Sequence, residues 1–524
     1  MISAFRWGAA VVLLLAIPGA RAATVGEASD GPDRGRILAR IDELLSAKWQ
    51  AAGVTPTAPA SDAEFLRRAY LDLAGTIPTA AEARAFFADS DPQKRERLID
   101  RLTESPAYAS HLANVWRHML LPGDMDIQQF GGVVGFERWL RGHFAENTRY
   151  DNVVADLLVT TGAGNETGPA LFYTALELKP EELAARTARI FLGVQIECAQ
   201  CHDHPFDKWK QTDFWGYAAF FARLRQGQEQ RRLAAQVIDT DSGEVMLPET
   251  TEAVEPRFLD GQPVDMSDAE GRRRQLAIWL ASRDNPYFAR ATVNRAWAML
   301  FGRGLIDPVD DMRDANPPSH PELLDELANY FIDSGYDIRE LFRTLARTRA
   351  YQLSSEVDGP AAKHELFARM SIKTLSADQL YDSIVKVMRR QQATAGMSPE
   401  QAFLMGLDPE RQAFRAKFHS PTAGGPELQS GIPQALTLMN GAQIVEATDL
   451  DRSGLLAALE APFLSDEERV EALFLSSLTR LPTEHESSVL STYLANGGAQ
   501  GDRRQALSDV CWALLNSAEF SLNH

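Results

Sequence analysis

The sequence is short of cysteine, of positive charge and of long apolar runs. Only three of its 524 residues are cysteine, which excludes a small disulfide-stapled scaffold. Lysine and arginine number 53 against 72 aspartates and glutamates, a formal net charge of −19 at pH 7. No global basic field therefore exists to attract nucleic acid or anionic lipid. With 45% hydrophobic and 24% charged residues, the composition is that of an ordinary globular protein of several domains.

Familiar catalytic motifs and internal repeats are also missing from the sequence. It contains no Gly-x-Ser-x-Gly elbow, no phosphate-binding glycine loop and no His-Glu-x-x-His, so a common hydrolase or nucleotide enzyme has no support. No fixed period indicates a solenoid. One hypothesis that stays open is an extracellular enzyme of unknown chemistry, for example one that acts on polysaccharide and has its active site in the helical second half.

The first residues have the layout of a secretory signal peptide. Arg6 is followed by an apolar run from Gly8 to Ile17, a Pro-Gly break and Ala20-Arg21-Ala22. The run is too short for a permanent membrane helix, and no later stretch approaches spanning length. We predict a signal peptide over residues 1–22, cleaved after Ala22 or Ala23. The mature chain is then periplasmic or extracellular, with no stable membrane span.

Helical periodicity covers most of the remaining chain, and the predicted fold class is mainly α. We expect a multi-helix domain over residues 33–225, a small β insert over 226–268 and a second multi-helix domain over 269–524. Capping boxes that begin at Ser61, Thr79 and Ser319 mark three helix starts. In the insert, two short apolar segments flank the turn-forming run Asp239–Gly243.

Two of the three cysteines belong to a Cys-x-x-Cys-His motif, Cys198 to His202. This spacing is typical of covalent haem attachment, in which both thiols bind the porphyrin and the adjacent imidazole reaches the iron. We predict a c-type haem held by Cys198 and Cys201, with His202 as proximal ligand, in a protein that exchanges electrons with a redox partner protein. Export favours this prediction, since haem is attached in this way outside the cytoplasm.

Two alternatives use the same segment. Cys198, Cys201 and His204, with Asp203 nearby, have ligand types that suit zinc or another divalent metal. The protein would then be an exported binding or scaffold protein with a structural metal. A disulfide between Cys198 and Cys201 is the third possibility, because export also permits disulfides. His204 lies too close to His202 to reach the opposite face of the same haem iron.

A haem that transfers electrons would need a sixth ligand from elsewhere in the chain. The candidates are Met119, Met125, His111, His118 and His320, and methionine would raise the reduction potential. A vacant sixth position would instead permit small-molecule chemistry such as peroxide reduction. Aromatic residues follow the motif from Phe206 to Phe221 and would suit a buried macrocycle, although this spacing more often indicates plain core.

Two further features are predicted to be structural and to have no role in binding or catalysis. An acidic loop after Phe301 does not follow the calcium-binding pattern, so we expect a solvated loop paired with nearby arginines. Its acids are Asp307, Asp310, Asp311 and Asp314, and the candidate partners are Arg295, Arg303 and Arg313. Cys511 lies in an apolar run and is predicted to be an inert buried thiol.

Several segments of the chain carry a family resemblance. Residues 65–79 and 186–221, which include the Cys-x-x-Cys-His motif, resemble the planctomycete cytochrome-like domain of unknown function. The second half is similar to the planctomycete-specific domain that usually follows it, in segments 293–297, 301–305, 318–325 and 512–520. The resemblance covers nearly the whole predicted mature chain. It implies an exported protein with a haem-type motif, and it implies no established biochemical role.

Overall fold

The protein is built mainly of α-helices, as the sequence predicts. A computed structural model describes residues 33–122, 132–163, 168–227, 236–262, 264, 271–356, 363–388, 409–418 and 432–524. The predicted signal peptide and the candidate ligand Met125 lie outside the described residues.

Nine helices precede the Cys-x-x-Cys-His motif among the described residues. They are α1 (Arg34–Ala52), α2 (Asp62–Ala69), α3 (Ala80–Ala88), α4 (Lys94–Thr103), α5 (Pro106–Leu120), α6 (Val133–Ala145), α7 (Tyr150–Val159), α8 (Ala170–Ala175) and α9 (Pro180–Thr187). Helices α2 and α9 each continue into a π-helical turn, Tyr70–Ala74 and Ala188–Leu192. Both turns end at a glycine with positive φ, so each terminates with a sharp change of chain direction.

In the described part of the chain, short strands form three small sheets, and a β element falls in the predicted insert. In the first sheet β3 (Gln236–Asp239) lies between β1 (Gly162–Ala163) and β2 (Leu224–Gln226), antiparallel to both. In the second, β4 (Val245–Met246) pairs with β5 (Ala253–Val254). The two apolar segments that flank the turn at Asp239–Gly243 therefore do not pair with each other. Each finds a partner elsewhere, because strand pairing depends on residues that are distant in sequence.

Among the described residues, the rest of the chain is again mainly helical. Its helices are α10 (Gln211–Ala218), α11 (Arg272–Ala281), α12 (Phe288–Phe301), α13 (Pro321–Asp333), α14 (Ile338–Arg347), α15 (Ala377–Met388), α16 (Pro409–Lys417), α17 (Ile432–Asn440), α18 (Ala442–Thr448), α19 (Gly454–Leu459), α20 (Asp466–Ser477), α21 (Glu484–Ala495), α22 (Arg503–Leu515) and α23 (Ala518–Ser521). The third sheet pairs β6 (Lys373–Thr374) with β7 (Leu522–Asn523), which holds the end of the chain against the start of α15.

Hydrophobic packing divides the described residues into two large cores. The first takes its residues from Ile37 to Met370, together with Leu475 of α20, and combines helices from both sides of the β insert. Helix α11, for example, packs against α7, and α12 packs against the π-helical turn after α9. The second core runs from Leu375 to Phe520 and takes in Leu71 from the N-terminal region. The packing boundary thus lies near residues 370–375, whereas the sequence division at 226–268 stays a prediction.

The three predicted capping boxes have different outcomes. Thr79 and Glu82 form the complete reciprocal box. Ser61 caps α2, but the carboxylate of Glu64 turns inward, where Arg68 donates to it at 2.6 Å. Ser319 caps no helix, because its hydroxyl donates to the Leu305 carbonyl and α13 begins at a proline. Tertiary partners thus replace the reciprocal half of the box at Glu64 and the whole cap at Ser319.

The N-terminal segment 65–79 makes buried polar contacts with the end of the chain. Arg67 is fully buried, and its guanidinium donates to the carbonyls of Ser477, Glu519, Phe520 and Leu522 at 2.8–3.3 Å. Burial lowers the pKa of Arg67 to about 10, and the side chain stays charged at neutral pH. The arginine thereby holds the chain terminus against α2.

Asp72, in the first π-helical turn, is the centre of a second buried network. Its carboxylate accepts hydrogen bonds from Lys373 Nζ at 2.6 Å, Asn523 Nδ2 at 2.7 Å and the Tyr351 hydroxyl at 2.9 Å. Lys373 also donates to the carbonyls of Met299 and Leu300. Burial lowers the pKa of Lys373, and the nearby Asp72 carboxylate opposes this shift. One carboxylate therefore joins segments from four distant parts of the chain.

No helix among the described residues is both long and apolar enough to cross a membrane.

Stability is expected to fall in mild acid because two histidines are buried in the neutral form. Burial lowers the pKa of His111 and of His320 to about 4, against an ordinary value of 6.5. The unfolded chain therefore takes up more protons below pH 6.5, and the folded state loses on the order of 3 kcal/mol per histidine as the pH falls towards 4.

Urea unfolding over this pH range measures the effect. We expect His111→Gln and His320→Gln each to flatten the pH dependence, and the exposed His485→Gln to leave it unchanged. An equally steep dependence in both buried variants would show that other groups cause the acid loss.

Candidate functional site

The Cys-x-x-Cys-His segment follows directly on the second π-helical turn. That turn ends at Gly193, whose φ is +68°. An added Cβ at Gly193 would lie 3.0 Å from Met312 Sδ, and the Met312 N–H donates to the Gly193 carbonyl at 2.9 Å. A glycine is needed here both for the left-handed backbone and for the close approach of the acidic loop.

The acidic loop supports the chain just before the motif. Asp310, which is buried, accepts from Gln195 Nε2 at 3.1 Å and pairs with Arg189 at 3.4 Å. Arg189 also pairs with Glu197, the residue before Cys198, at 2.7 Å. The loop is therefore more than a solvated surface, since one of its acids positions the stem of the motif.

The predicted arginine partners of this loop are confirmed in part. Arg303 pairs with Asp307 at 3.5 Å and Arg313 with Asp311 at 3.0 Å. Arg295 instead donates to the backbone carbonyl of Arg189.

The two motif cysteines lie on one exposed turn. Residues Glu197–Gln200 form a 3₁₀ turn, with Cys201 directly after it. Side chains three residues apart lie on the same side of such a turn, so Cys198 and Cys201 share a face. Both are exposed free thiols, whereas Ala199 between them is completely buried. Burial of Ala199 thus anchors the turn and directs the two thiols outwards.

Helix α10 holds the other end of the motif. Trp215 Nε1 donates to the Gln200 carbonyl at 3.0 Å, and Gln211 Nε2 donates to the Cys201 carbonyl at 2.9 Å. The Gln211 N–H, at the start of α10, donates to Asp203 Oδ1 at 2.9 Å. Sequence reasoning missed the positioning roles of Gln211 and Trp215. Both lie within fifteen residues of the motif, but only the folded loop shows where their donors point.

His202 is exposed and has one ring nitrogen available. Its Nδ1 lies 2.8 Å from the Asp203 carbonyl oxygen. A carbonyl only accepts hydrogen bonds, so the proton of the neutral ring is on Nδ1 and the lone pair is on Nε2. Metal-bound histidines typically donate their other ring N–H to a backbone carbonyl or carboxylate in this way. His202 therefore has the tautomer that an iron ligand needs.

His204 has the opposite arrangement. Its Nδ1 accepts the Phe206 N–H at 3.2 Å, and its own backbone N–H donates to the Trp209 carbonyl at 2.8 Å. The neutral ring then carries its proton on Nε2, which leaves no lone pair for a metal. No group of three or more His, Cys, Asp or Glu residues in the described part of the chain is arranged around a common point for a metal ion. The alternative metal site, Cys198, Cys201, His204 and Asp203, is not preformed.

The candidate sixth ligands make their contacts elsewhere. His118 Nε2 lies 2.6 Å from Arg117 Nη2 and 2.8 Å from Asp378 Oδ2. His320 Nδ1 bonds to Ser319 Oγ at 3.0 Å beside Phe367. His111 is buried against Gly75, and the carbonyl of Met119 accepts from Arg186. A sixth ligand stays unassigned.

The aromatic residues after the motif are largely part of the hydrophobic core. Trp209, Phe214, Tyr217, Phe220 and Phe221 are buried in the first core. Phe206 is the exception, with 78% of its surface exposed. The motif therefore lies at the protein surface, and the core aromatics are already packed against protein. Cys511 is buried as predicted, and burial raises the pKa of its thiol to about 12.

The fold and the motif define a mainly helical protein with a surface Cys-x-x-Cys-His turn. Two family models match this chain. Residues 40–226 match PSCyt2, a protein of unknown function (DUF1549), and residues 272–405 match PSD1, a protein of unknown function (DUF1553). The chain belongs to the planctomycete family in which these two domains follow each other in this order. Neither the curated proteins nor the solved structures contain a match to this chain.

Proposed function

We propose that the protein carries a c-type haem bound through Cys198 and Cys201, with His202 as proximal iron ligand, and that it transfers electrons to or from a partner protein. The observation that carries the proposal is the hydrogen bond from His202 Nδ1 to the Asp203 carbonyl, which leaves Nε2 for the iron. The haem would supply one-electron redox chemistry.

The chain's own residues would bind and orient the group. Cys198 and Cys201, on one face of an exposed turn, are accessible to an attachment enzyme and to the two vinyl groups. Gln211 and Trp215 hold the backbone of this turn from α10, and Arg189 holds it from the other side through Glu197. These contacts fix the thiols and the imidazole relative to each other before any group binds.

Expression with a haem-attachment system tests the proposal. The purified native protein is denatured in alkaline pyridine, and its haemochrome spectrum shows whether haem is covalently attached. We expect a c-type spectrum, complete loss of covalent haem in the Cys198→Ala/Cys201→Ala double variant, and a large loss or an altered spectrum in His202→Ala.

His204→Ala is the matched control. Because the His204 lone pair is occupied by the Phe206 N–H, this variant is expected to keep its haem with an unchanged spectrum. Zinc analysis of the same samples distinguishes the metal alternative, in which His204→Ala loses zinc and His202→Ala retains it. Native protein with stoichiometric zinc and no covalent haem would contradict the proposal.

A further inference from the structure

A buried carboxylate from the second half of the chain contacts the stem of the Cys-x-x-Cys-His turn. Asp310 belongs to the acidic loop after α12, and its contact with Gln195 spans 115 residues of sequence. The carboxylate accepts from Gln195 Nε2 at 3.1 Å and pairs with Arg189 Nη1 at 3.4 Å. Both partners lie in the segment that leads into Cys198. The second half of the chain therefore places a buried charge at the base of the motif.

Arg189 connects this carboxylate to the residue that precedes the first cysteine. Its Nη2 pairs with Glu197 Oε1 at 2.7 Å, and its Nε donates to the same oxygen at 2.8 Å. One guanidinium thus contacts the carboxylates of both Glu197 and Asp310, and its planar shape fixes their relative positions. A displacement of the acidic loop would therefore also displace the start of the motif turn.

A second arginine and a backbone contact support the same junction. Arg295 Nη2 donates to the Arg189 carbonyl at 3.3 Å. Burial lowers the pKa of Arg295, and the nearby Asp310 carboxylate opposes this shift. Two residues further along the loop, the Met312 N–H donates to the Gly193 carbonyl at 2.9 Å. The stem of the motif and the acidic loop are therefore packed as one unit.

The four charges at this junction balance. Arg189 and Arg295 are the bases, and Glu197 and Asp310 are the acids. Asp310 is buried, so water and salt screen its charge less than that of an exposed carboxylate. Neutralising one of the four groups leaves one charge uncompensated beside the motif. Because a haem gains one positive charge on oxidation, the sign of that charge affects the relative stability of its two redox states.

We propose that Asp310 is a positioning residue for the haem-type turn and that its charge, at Arg189, lowers the reduction potential of the haem. A negative charge near the iron stabilises the oxidised form, and a positive charge stabilises the reduced form. The acidic loop of the second half is then a component of the redox site. The effect on the potential rests on the function proposed above, whereas the positioning role does not.

Amide hydrogen exchange in the haem-free full chain tests the positioning role. The protein is expressed without a haem-attachment system and kept reduced, and exchange is followed over residues 194–201. We expect about tenfold faster exchange there in Asp310→Ala, because both contacts of the carboxylate are lost. Asp307→Asn is the matched control and should exchange as the wild type does. Asp307 lies in the same loop but is exposed and pairs with Arg303.

Potentiometric titration of the haem-loaded protein tests the effect of the charge. Asp310→Asn removes a negative charge with little change of shape, and we expect the equilibrium constant for haem reduction to rise at least about threefold. Arg189→Gln removes a positive charge and is expected to lower this constant by a similar factor. Arg189→Lys keeps the charge, so its potential is expected to stay near that of the wild type. Loosening of the structure alone would not shift the acid and base variants in opposite directions.

The two measurements distinguish failure of this proposal from failure of the haem proposal. If the native protein takes up no haem, the proposed function and the effect on the potential both fail, and hydrogen exchange still decides the positioning role. Unchanged exchange over residues 194–201 in a folded Asp310→Ala variant would overturn that role. Unchanged potentials, or shifts of the same sign in Asp310→Asn and Arg189→Gln, would overturn the effect of the charge. Glu197→Gln, at a partly exposed acid, replaces the Asp310 variants in both measurements if they fail to fold, with faster exchange and a higher potential expected.

Discussion

Replacing Asp72 with alanine is expected to lower the free energy of unfolding by about 3 to 5 kcal/mol, the usual effect of removing one partner of a buried ion pair. Lys373 would stay largely buried without its compensating carboxylate, and its remaining acceptors among the described residues would be the Met299 and Leu300 carbonyls. Tyr351 and Asn523 would each lose the acceptor of a buried hydrogen bond. Urea unfolding at neutral pH, followed by circular dichroism and tryptophan fluorescence, measures the loss.

The controls separate the charge from the shape of the side chain. Asp72→Asn keeps the shape but removes the charge that compensates Lys373, so we expect a smaller loss than for alanine. Asp333→Ala removes an exposed carboxylate and is expected to cost less than about 1 kcal/mol. A loss for Asp72→Ala as small as that of the exposed control would contradict the central role of this carboxylate.

Arg67→Ala is expected to have an effect of similar size, about 3 to 5 kcal/mol, because it leaves a cavity and removes the donor from four buried or partly buried carbonyls. Detachment of the chain terminus should accompany the loss of stability. Amide hydrogen exchange across residues 517–524, together with urea unfolding, measures both effects.

Lysine cannot replace this arginine. An ammonium group has no planar fork with which to reach acceptors on Ser477 and on Phe520 at once, so Arg67→Lys is expected to recover little of the stability. Arg84→Ala is the control, because Arg84 is half exposed and its ion-pair partner among the described residues is the partly exposed Glu471. Unchanged exchange at the chain terminus in Arg67→Ala would show that other contacts hold it.

Arg67 and Asp72 give the segment 65–79, which opens the family resemblance, a structural role. Arg67 and Asp72 lie in the segment 65–79. Arg67 donates to the Phe520 carbonyl in the C-terminal segment 512–520, and Asp72 accepts from Asn523, which follows that segment. The two ends of the chain are therefore parts of one structural contact. Segment 65–79 and the C-terminal segment therefore hold the two domains together. The haem-type turn at residues 198–202 takes no part in this contact.

Local sequence was sufficient to recognise the motif but not to assign the roles of His202 and His204. The spacing of Cys198, Cys201 and His202 could be read directly, because haem attachment depends on adjacent residues. His204 remained ambiguous until the loop that follows it was known. Its ring accepts the Phe206 N–H, and this contact depends on a turn conformation that no local pattern specifies.

The sequence by itself determined the mainly helical fold class, the helix starts at Ser61 and Thr79 and the Cys-x-x-Cys-His spacing, because helical periodicity, caps and motif spacing depend on residues a few positions apart. Only the tertiary structure decided the division into two cores and the role of Asp72. The partners of Asp72 lie 279, 301 and 451 residues away in sequence. Contacts over such separations form only when the hydrophobic cores bring distant segments together, so no local pattern records them.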